Sequence, residues 1–346
     1  MTESDAEREH DTDAGDASPA SLPRLVVSSV VRSSHQGESH GGVFIVDLAA
    51  GSCEQVIDWD DESISWEGRG ADRGLRGIAF HDELVYLAAS DEIFVYDRSF
   101  RQQGSFRNEY LKHCHEITVE GDVLYATSTG FDSILAYDIR AGAFTDGVCL
   151  RYDSVNELRR KVAQAVPALV GVSRPMPGLS RFDPSRPGGP VPGDTTHLNN
   201  VSRLGGATLA CGTRLASVLA VKGSKLFTYA RVPFGSHNAS PFRDGILMNH
   251  TRSDRICYLG RRGKVLRSWP IVRYAREDLE NAALPEDQAR QAFGRGLAVL
   301  DDDRFVGGSS PATVTLYRFD RPDPVVSVNL TRDVRNAIHG LEVWPF

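Results

Sequence analysis

The run His115-Glu-Ile-Thr-Val, followed by Leu124-Tyr-Ala-Thr-Ser-Thr and Ile134-Leu-Ala-Tyr-Asp, decides the fold. A polar residue opens a short strand, a turn leads to a second strand that ends in small residues, and an apolar third strand follows. Short β-branched and aromatic runs that are bounded by glycine and aspartate are typical of strands. The run therefore predicts three consecutive strands of one sheet.

The same pattern occurs six times, with a basic unit of about 40 residues. The openings are Arg76-Gly-Ile-Ala-Phe, His115-Glu-Ile-Thr-Val, His197-Leu-Asn-Asn-Val, His237-Asn-Ala-Ser-Pro, Arg295-Gly-Leu-Ala-Val and His339-Gly-Leu-Glu-Val. The third strands are Ile93-Phe-Val-Tyr-Asp, Ile134-Leu-Ala-Tyr-Asp, Leu226-Phe-Thr-Tyr, Ile256-Cys-Tyr-Leu and Val314-Thr-Leu-Tyr. A repeat of this length predicts the blades of a β-propeller.

The sixth repeat runs out of chain at Phe346, and strands that match its missing part stand at the other end. Arg24-Leu-Val-Val-Ser-Ser-Val matches a second strand and Val43-Phe-Ile-Val-Asp matches a third. We therefore predict an all-β fold, a six-bladed β-propeller in which N-terminal strands complete the last blade and remove the open sheet edges. A β-sandwich with accidental similarity between its strands is the alternative.

The charge of the chain is concentrated at its start. The sequence has 346 residues and a net charge of −7, and residues 1–20 hold seven acidic side chains against the single base Arg8. We predict a disordered acidic tail over 1–20 and one propeller domain over 21–346. The nearly neutral body argues against a nucleic-acid partner or an acidic membrane surface.

Two repeats carry inserts, at about 150–196 and 273–293. Ser154-Val-Asn-Glu157 is a capping-box pattern before a predicted helix over 158–170, and a loop rich in proline and glycine follows over 175–193. The second insert is helical in composition. Both leave the propeller on one face, where they form either a lid over the channel mouth or a decoration and dimer contact.

Cysteine usage and the absence of targeting patterns predict the compartment. The five cysteines form no Cys-x-x-Cys pair, and no apolar run is long enough for a membrane span or a secretory signal. The sequence therefore predicts a cytoplasmic protein with free thiols and no membrane partner, and leaves the oligomeric state open.

The six opening residues are predicted to form a ring. The first strand of each propeller blade is innermost, so equivalent positions on those strands line the central channel. The ring consists of Arg76, His115, His197, His237, Arg295 and His339. Four of the ten histidines of the chain thus occupy one repeated position, which favours a shared function.

Four converging imidazoles favour a transition-metal site. His115, His197, His237 and His339 are the candidate ligands and catalytic residues, with Fe(II) preferred and Cu or Zn possible. Calcium is disfavoured, because it prefers carboxylate and carbonyl oxygens and no acidic residue stands at a ring position. Strand alternation predicts that Glu116, next to His115, points away from the channel.

Arginine in the ring favours an anionic small-molecule substrate. Arg76 and Arg295 offer bidentate forks to a carboxylate or phosphate, and Asn199 and Asn238 are further candidate substrate-binding residues. With a metal, the predicted enzyme carries out oxidative or Lewis-acid chemistry. A metal-free lyase, isomerase or cyclase with a ring histidine as acid or base is the first alternative, and a non-catalytic scaffold or ligand-binding propeller is the second.

Some of these motifs resemble those of known proteins. His115-Glu-Ile, His197-Leu-Asn, Phe293-Gly-Arg-Gly-Leu-Ala and Phe305-Val-Gly-Gly-Ser resemble a bacterial family of uncharacterised propeller proteins, which implies the fold and no activity. Four channel histidines are similar in site logic to the carotenoid cleavage oxygenases, in which four histidines bind non-haem Fe(II). Those enzymes have seven blades and a set of supporting glutamates, so the resemblance is an analogy.

Overall fold

The protein is a six-bladed β-propeller of antiparallel sheets, as the repeats predicted. The structure is a computed structural model that describes residues 22–35, 37–60, 74–166, 175–286 and 289–346. The predicted tail over 1–20 lies outside the described residues. No helix in these ranges is both long and apolar enough to span a bilayer.

Each blade is one sheet whose strands follow each other from the channel outward. The closure blade contains β1 (Leu25–Val31), β2 (Gly41–Asp47), β3 (Ser52–Asp58) and the innermost strand β25 (Asn336–Val343), and blade 2 contains β4 (Ile78–His81), β5 (Leu84–Ala89), β6 (Glu92–Asp97) and β7 (Gln102–Arg107). Blade 3 contains β8 (Ile117–Glu120), β9 (Val123–Ser128), β10 (Ser133–Asp138), β11 (Ala143–Arg151) and β12 (Gly178–Phe182), and blade 4 contains β13 (Leu198–Leu204), β14 (Ala207–Gly212), β15 (Ser217–Lys222) and β16 (Lys225–Arg231). Blade 5 contains β17 (Ser236–Phe242), β18 (Gly245–His250), β19 (Arg255–Gly260) and β20 (Val265–Pro270), and blade 6 contains β21 (Leu297–Val299), β22 (Arg304–Ser309), β23 (Thr313–Arg318) and β24 (Val326–Asn329).

The N-terminal strands complete the last blade, as predicted. Strand β25 pairs antiparallel with β1, with Leu25 opposite Val343 and Val31 opposite Asn336. The register shifts between Val27 and Ser29, so Ser28 faces both His339 and Gly340. This bulge bends the innermost strand at the ring position.

The core consists of apolar clusters that lie between neighbouring blades. Trp269 and Phe305, for example, pack edge to face at 4.8 Å between blades 5 and 6 and are almost completely buried. Burial of one such side chain contributes about 1.5–3 kcal/mol. Corresponding clusters join each of the remaining pairs of neighbouring blades, and two of these clusters join the closure blade to blades 2 and 6. This continuous apolar packing holds the innermost strands, and so the channel lining, in fixed relative positions.

One strand was assigned wrongly from the sequence. The run Leu226-Phe-Thr-Tyr belongs to β16, the fourth strand of blade 4, and β15 (Ser217–Lys222) is the third. Both runs are short and rich in β-branched or aromatic residues, so composition alone does not distinguish a third strand from the outer strand beside it.

The two inserts differ from each other. The first contains α1 (Ser154–Ala165), so the predicted helix is confirmed up to Ala165, and residues 167–170 lie outside the described ranges. Its N-cap is Asp153, which accepts from the Asn156 N–H at 2.7 Å, and not Ser154. The helical prediction for the second insert was wrong, because its described part contains only a single 3₁₀ turn over Arg276–Asp278.

Candidate functional site

The structure brings the six ring residues together at the inner ends of the blades. Arg76, His115, His197 and Arg295 stand immediately before the innermost strands, and His237 and His339 lie within them. The rings of His115 and His197 meet edge to face at 5.4 Å, and those of His115 and His339 are 6.4 Å apart.

Arg295 and His339 form the most direct contact in the ring. The Nη1 of Arg295 lies 3.2 Å from Nδ1 and 3.1 Å from Nε2 of His339, so a cationic donor stands against the imidazole nitrogens. Burial, followed by the charges of Arg295 and Arg76, lowers the pKa of His339 well below its usual value. Among the described residues, no carboxylate forms an ion pair with Arg295. His339 is therefore neutral at pH 7, beside a guanidinium that no described carboxylate compensates.

Arg32, an arginine outside the six ring positions that sequence reasoning missed, adds to this positive charge. Arg32 follows β1, and its guanidinium lies 4.7 Å from the centre of the Phe293 ring. The Arg295 guanidinium lies 5.0 Å from the centre of the same ring. Burial, then Arg290 and Arg76, lower the pKa of Arg32 to about 10. Burial, then Arg32 and Arg76, lower that of Arg295, so like charges are forced together here.

His197 belongs to a carboxylate–imidazole pair. Its Nδ1 lies 2.9 Å from Oδ2 of Asp194, and Arg214 lies 3.3 Å from the same oxygen. Burial works to raise the pKa of Asp194, but the hydrogen bond and charge of His197 and the charge of Arg214 hold it below its usual value. Sequence reasoning missed Asp194, although the run Asp194-Thr-Thr-His197 shows an acid three residues before a ring histidine.

The segment that carries this pair is fastened by Asp132 of blade 3. Asp132 is completely buried and accepts the backbone N–H and hydroxyl of both Thr195 and Thr196, at 2.6–3.0 Å. Arg151 donates Nε to the same carboxylate at 3.0 Å. Charge-assisted hydrogen bonds to the two carboxylate oxygens of Asp132 thus position the residues between Asp194 and His197.

His115 is oriented by oxygens on one side only. Its Nδ1 lies 2.8 Å from the carbonyl oxygen of His113 and 3.0 Å from Oγ1 of Thr129, whereas no described residue binds Nε2. Burial, then Arg76 and His197, lower the pKa of His115 well below its usual value. The imidazole is therefore neutral at pH 7.

His237 is the most isolated histidine of the ring. It is buried, and neither ring nitrogen forms a hydrogen bond of ordinary geometry with a described residue, although the Gly235 backbone is near enough to raise its pKa. Its ring meets that of Phe293 edge to face at 5.8 Å. Burial, then the charges of Arg295 and His197, lower its pKa well below the usual value. An unpartnered buried imidazole is costly, which is typical of a functional position.

The two candidate asparagines bind protein groups. Asn199 donates to the carbonyl of Ser236 at 3.0 Å, and its own side-chain oxygen has no partner among the described residues. Asn238 accepts the Gly296 N–H at 3.1 Å and donates to Glu116 at 3.2 Å. Their role in substrate binding stays a prediction.

Strand alternation predicted that Glu116 points away from the channel, and this prediction was wrong. It reaches from blade 3 past blade 4 to Asn238 of blade 5. Burial and the charge of Glu342 raise the pKa of Glu116 well above its usual value. Glu342 remains accessible, but the enclosing protein raises its pKa to about 7.

The ring does not present a preformed four-histidine metal centre. Among the described residues, no group of three or more His, Cys, Asp or Glu side chains is arranged to hold a metal ion. The guanidinium of Arg295 stands against His339, where a cation would be repelled. A metal ion at this site stays a prediction.

Comparisons with known proteins support the fold. No protein-family model and no curated sequence matches the chain. A protein of unknown function from Bacteroides caccae is 10% identical over 93% of this chain and 98% of its own, with a TM-score of 0.53. A chain of a nidogen/laminin complex is 8% identical over 92% and 97%, with a TM-score of 0.52. Identities this low show a shared fold alone, in agreement with the resemblance to uncharacterised bacterial propellers.

Proposed function

We propose that the protein is a metal-free enzyme that binds a small oxyanionic substrate at the channel ring and acts on it by general acid–base catalysis. The observation that carries the proposal is the contact between Arg295 and His339, in which no described carboxylate neutralises the guanidinium. Charges that the protein partly encloses are normally paired, so a half-buried guanidinium without a described carboxylate partner favours a ligand of opposite charge.

The neutral histidines suit an anion site. His339 and His115 have lowered pKa values and stand beside arginines, so each is uncharged when the site is empty. An anion that enters stabilises the imidazolium form and raises the pKa of these side chains. Binding should therefore take up protons and become tighter as the pH falls.

The pair of Asp194 and His197 supplies the acid–base group. A carboxylate that holds Nδ1 fixes the tautomer and leaves Nε2 to exchange a proton with a substrate. His197 lies next to His115 in the ring, and it is partly exposed. This arrangement supports the lyase, isomerase or cyclase alternative.

A metal enzyme is the second candidate, and one observation favours it. His115 and His197 both hold Nδ1 on oxygen acceptors, the arrangement usual for histidines that bind metal through the other nitrogen. Metal binding requires deprotonated ligands and weakens as the pH falls. The sign of the pH dependence therefore separates the two candidates.

Calorimetric titration with inorganic sulfate tests the anion site. Sulfate does not titrate between pH 6 and 8, so any proton uptake, measured in two buffers of different ionisation enthalpy, belongs to the protein. We expect affinity to rise as the pH falls, and Arg295→Gln to weaken binding by about 10-fold or more. The matched control is Arg98→Gln, because Arg98 is an exposed arginine on blade 2.

Thermal stability distinguishes lost binding from lost folding. Arg295→Gln removes a half-buried charge that Arg32 and Arg76 repel, so its Tm should not fall below that of the wild type.

Absence of sulfate binding, or proton release on binding, would contradict the proposal. The same titration with Zn²⁺ and Fe²⁺ shows whether the protein binds a metal instead.

A turnover assay tests the acid–base pair. A panel of small carboxylates and phosphate esters is incubated with protein in the presence of a chelator, and conversion is followed by NMR. For any substrate found, we expect His197→Gln and Asp194→Asn to lower kcat about 10²–10⁴-fold. His35→Gln changes an exposed hairpin histidine and serves as the control. Turnover that persists in both His197→Gln and Asp194→Asn would remove His197 from the mechanism.

A further inference from the structure

We infer that the substrate anion carries two negative charges, and that Arg32 is the residue that selects for the second charge. This inference rests on the proposed function and concerns the same site. Arg32 and Arg295 approach one aromatic ring, and no described carboxylate forms an ion pair with either of them.

The position of Arg32 is fixed by two elements of the closure blade and by Phe293. Its backbone N–H donates to the carbonyl of Arg335 at 3.0 Å, which fastens the turn after β1 to the start of β25. Its guanidinium then stacks over Phe293, which precedes Arg295 by two residues. Both guanidiniums lie within 5.0 Å of the ring centre. The charge of Arg32 also lowers the pKa of Arg295, so the two guanidiniums are near enough to repel each other. In the proposed complex, one ligand contacts both.

Arg290, a third arginine near the aromatic ring of Phe293, provides an internal comparison. The Arg290 guanidinium lies 5.1 Å from the Phe293 centre, but its Nη1 binds Asp254 at 2.6 Å. Arg273 binds the other oxygen of Asp254. Arg290 thus has a carboxylate partner, whereas no carboxylate among the described residues forms an ion pair with Arg32 or Arg295.

The charge balance indicates the class of ligand. Two guanidiniums that pair with no described carboxylate are neutralised by one dianion, such as a phosphate or sulfate monoester or a dicarboxylate. Coulomb energy scales with the product of the charges, so each arginine attracts a dianion about twice as strongly as a monoanion at the same distance. Removal of one arginine should therefore cost a dianion about twice the binding free energy that it costs a monoanion. The fold-loss in affinity for the dianion is then about the square of the fold-loss for the monoanion.

The experiment compares sulfate, malonate and acetate by calorimetry at pH 8, with full-length protein. We expect sulfate or malonate to bind at least 10-fold tighter than acetate to the wild type. Arg32→Gln should remove most of this advantage, and Arg32→Lys should restore part of it. Arg290→Gln is the matched control and should retain the advantage. A preference for sulfate favours a phosphate or sulfate ester, and a preference for malonate favours a dicarboxylate.

The other outcomes distinguish failure of the dianion inference from failure of the proposed anion site. If Arg295→Gln weakens all three anions but Arg32→Gln weakens sulfate, malonate and acetate by equal factors, the dianion inference is wrong and the anion site stands. If Arg295→Gln affects no anion, or the wild type binds none, the proposed function fails and this inference with it. Tm values of the Arg32 variants confirm that they are folded.

Discussion

We expect Asp132→Asn to lower the free energy of unfolding by about 3 kcal/mol or more. Asp132 is completely buried, and its carboxylate accepts hydrogen bonds from Thr195, Thr196 and Arg151. An asparagine amide keeps one acceptor oxygen and turns an N–H₂ group toward donors on the other side. Those buried donors then lose their partner, and Arg151 loses its counter-charge.

The backbone at Asp132 determines which variants are informative. Its φ of 51° lies in the left-handed region, which asparagine and glycine tolerate better than alanine. Asp132→Asn and Asp132→Gly therefore both test the hydrogen bonds without adding backbone strain. Asp323→Asn changes an exposed aspartate and is the control.

Urea denaturation measures the difference between these variants. If Asp132→Asn unfolds at the wild-type midpoint while Asp132→Gly does not, a neutral side-chain acceptor is sufficient and the charge of the carboxylate does not stabilise this turn. In the expected case both variants are destabilised. Because the threonines lead directly to His197, both should also lower His197-dependent turnover.

The sequence predicted the propeller because each blade repeats one alternation of apolar and polar residues. The sequence-based assignment was wrong for one strand of blade 4 and for the second insert. Strands β15 and β16 are both short and rich in β-branched or aromatic residues, but β15 is almost completely buried and the outer strand β16 is largely exposed. In the second insert, tertiary contacts override helical composition: the Tyr274 N–H donates to the Gln291 side chain at 3.0 Å.

The ring positions could be predicted because the fold places the same residue of every blade at the channel. Asp194 and Arg32 could not be found in this way, because they lie in connections that no other blade repeats. Phe293 belongs to the motif Phe293-Gly-Arg-Gly-Leu-Ala, but its contact with Arg32 depends on the closure of the propeller. Glu116 was misplaced because it stands before β8, where strand alternation does not yet apply.

The closure blade and blade 2 meet at one glycine, Gly340, beside the ring residue His339. The Gly340 N–H donates to Oγ of Ser28 at 2.8 Å, and that hydroxyl donates to the carbonyl of Arg76. A Cβ on Gly340 would overlap the Arg76 carbonyl oxygen and lie 2.7 Å from Cγ1 of Ile78 and 2.8 Å from the Ser28 oxygen. Three elements thus meet where only a hydrogen atom fits.

We expect Gly340→Ala to lower the free energy of unfolding by about 3 kcal/mol or more, because backbone atoms must move to admit the methyl group. Gly104→Ala is the matched control, since Gly104 lies in strand β7 and an added Cβ meets nothing within 4 Å. That substitution should be neutral or stabilise by about 0.5–1 kcal/mol. Chemical denaturation of the two variants measures both effects.

The same substitution should also affect the site in protein that remains folded. Gly340 follows His339 directly, and the methyl group displaces the backbone of Arg76, so two ring residues move together. We therefore expect sulfate affinity to fall in Gly340→Ala under conditions where circular dichroism shows a native sheet, and to be unchanged in Gly104→Ala. Wild-type stability and affinity in Gly340→Ala would show that the bulge opposite Ser28 does not hold His339 and Arg76 in register, and that the blades are joined at another point.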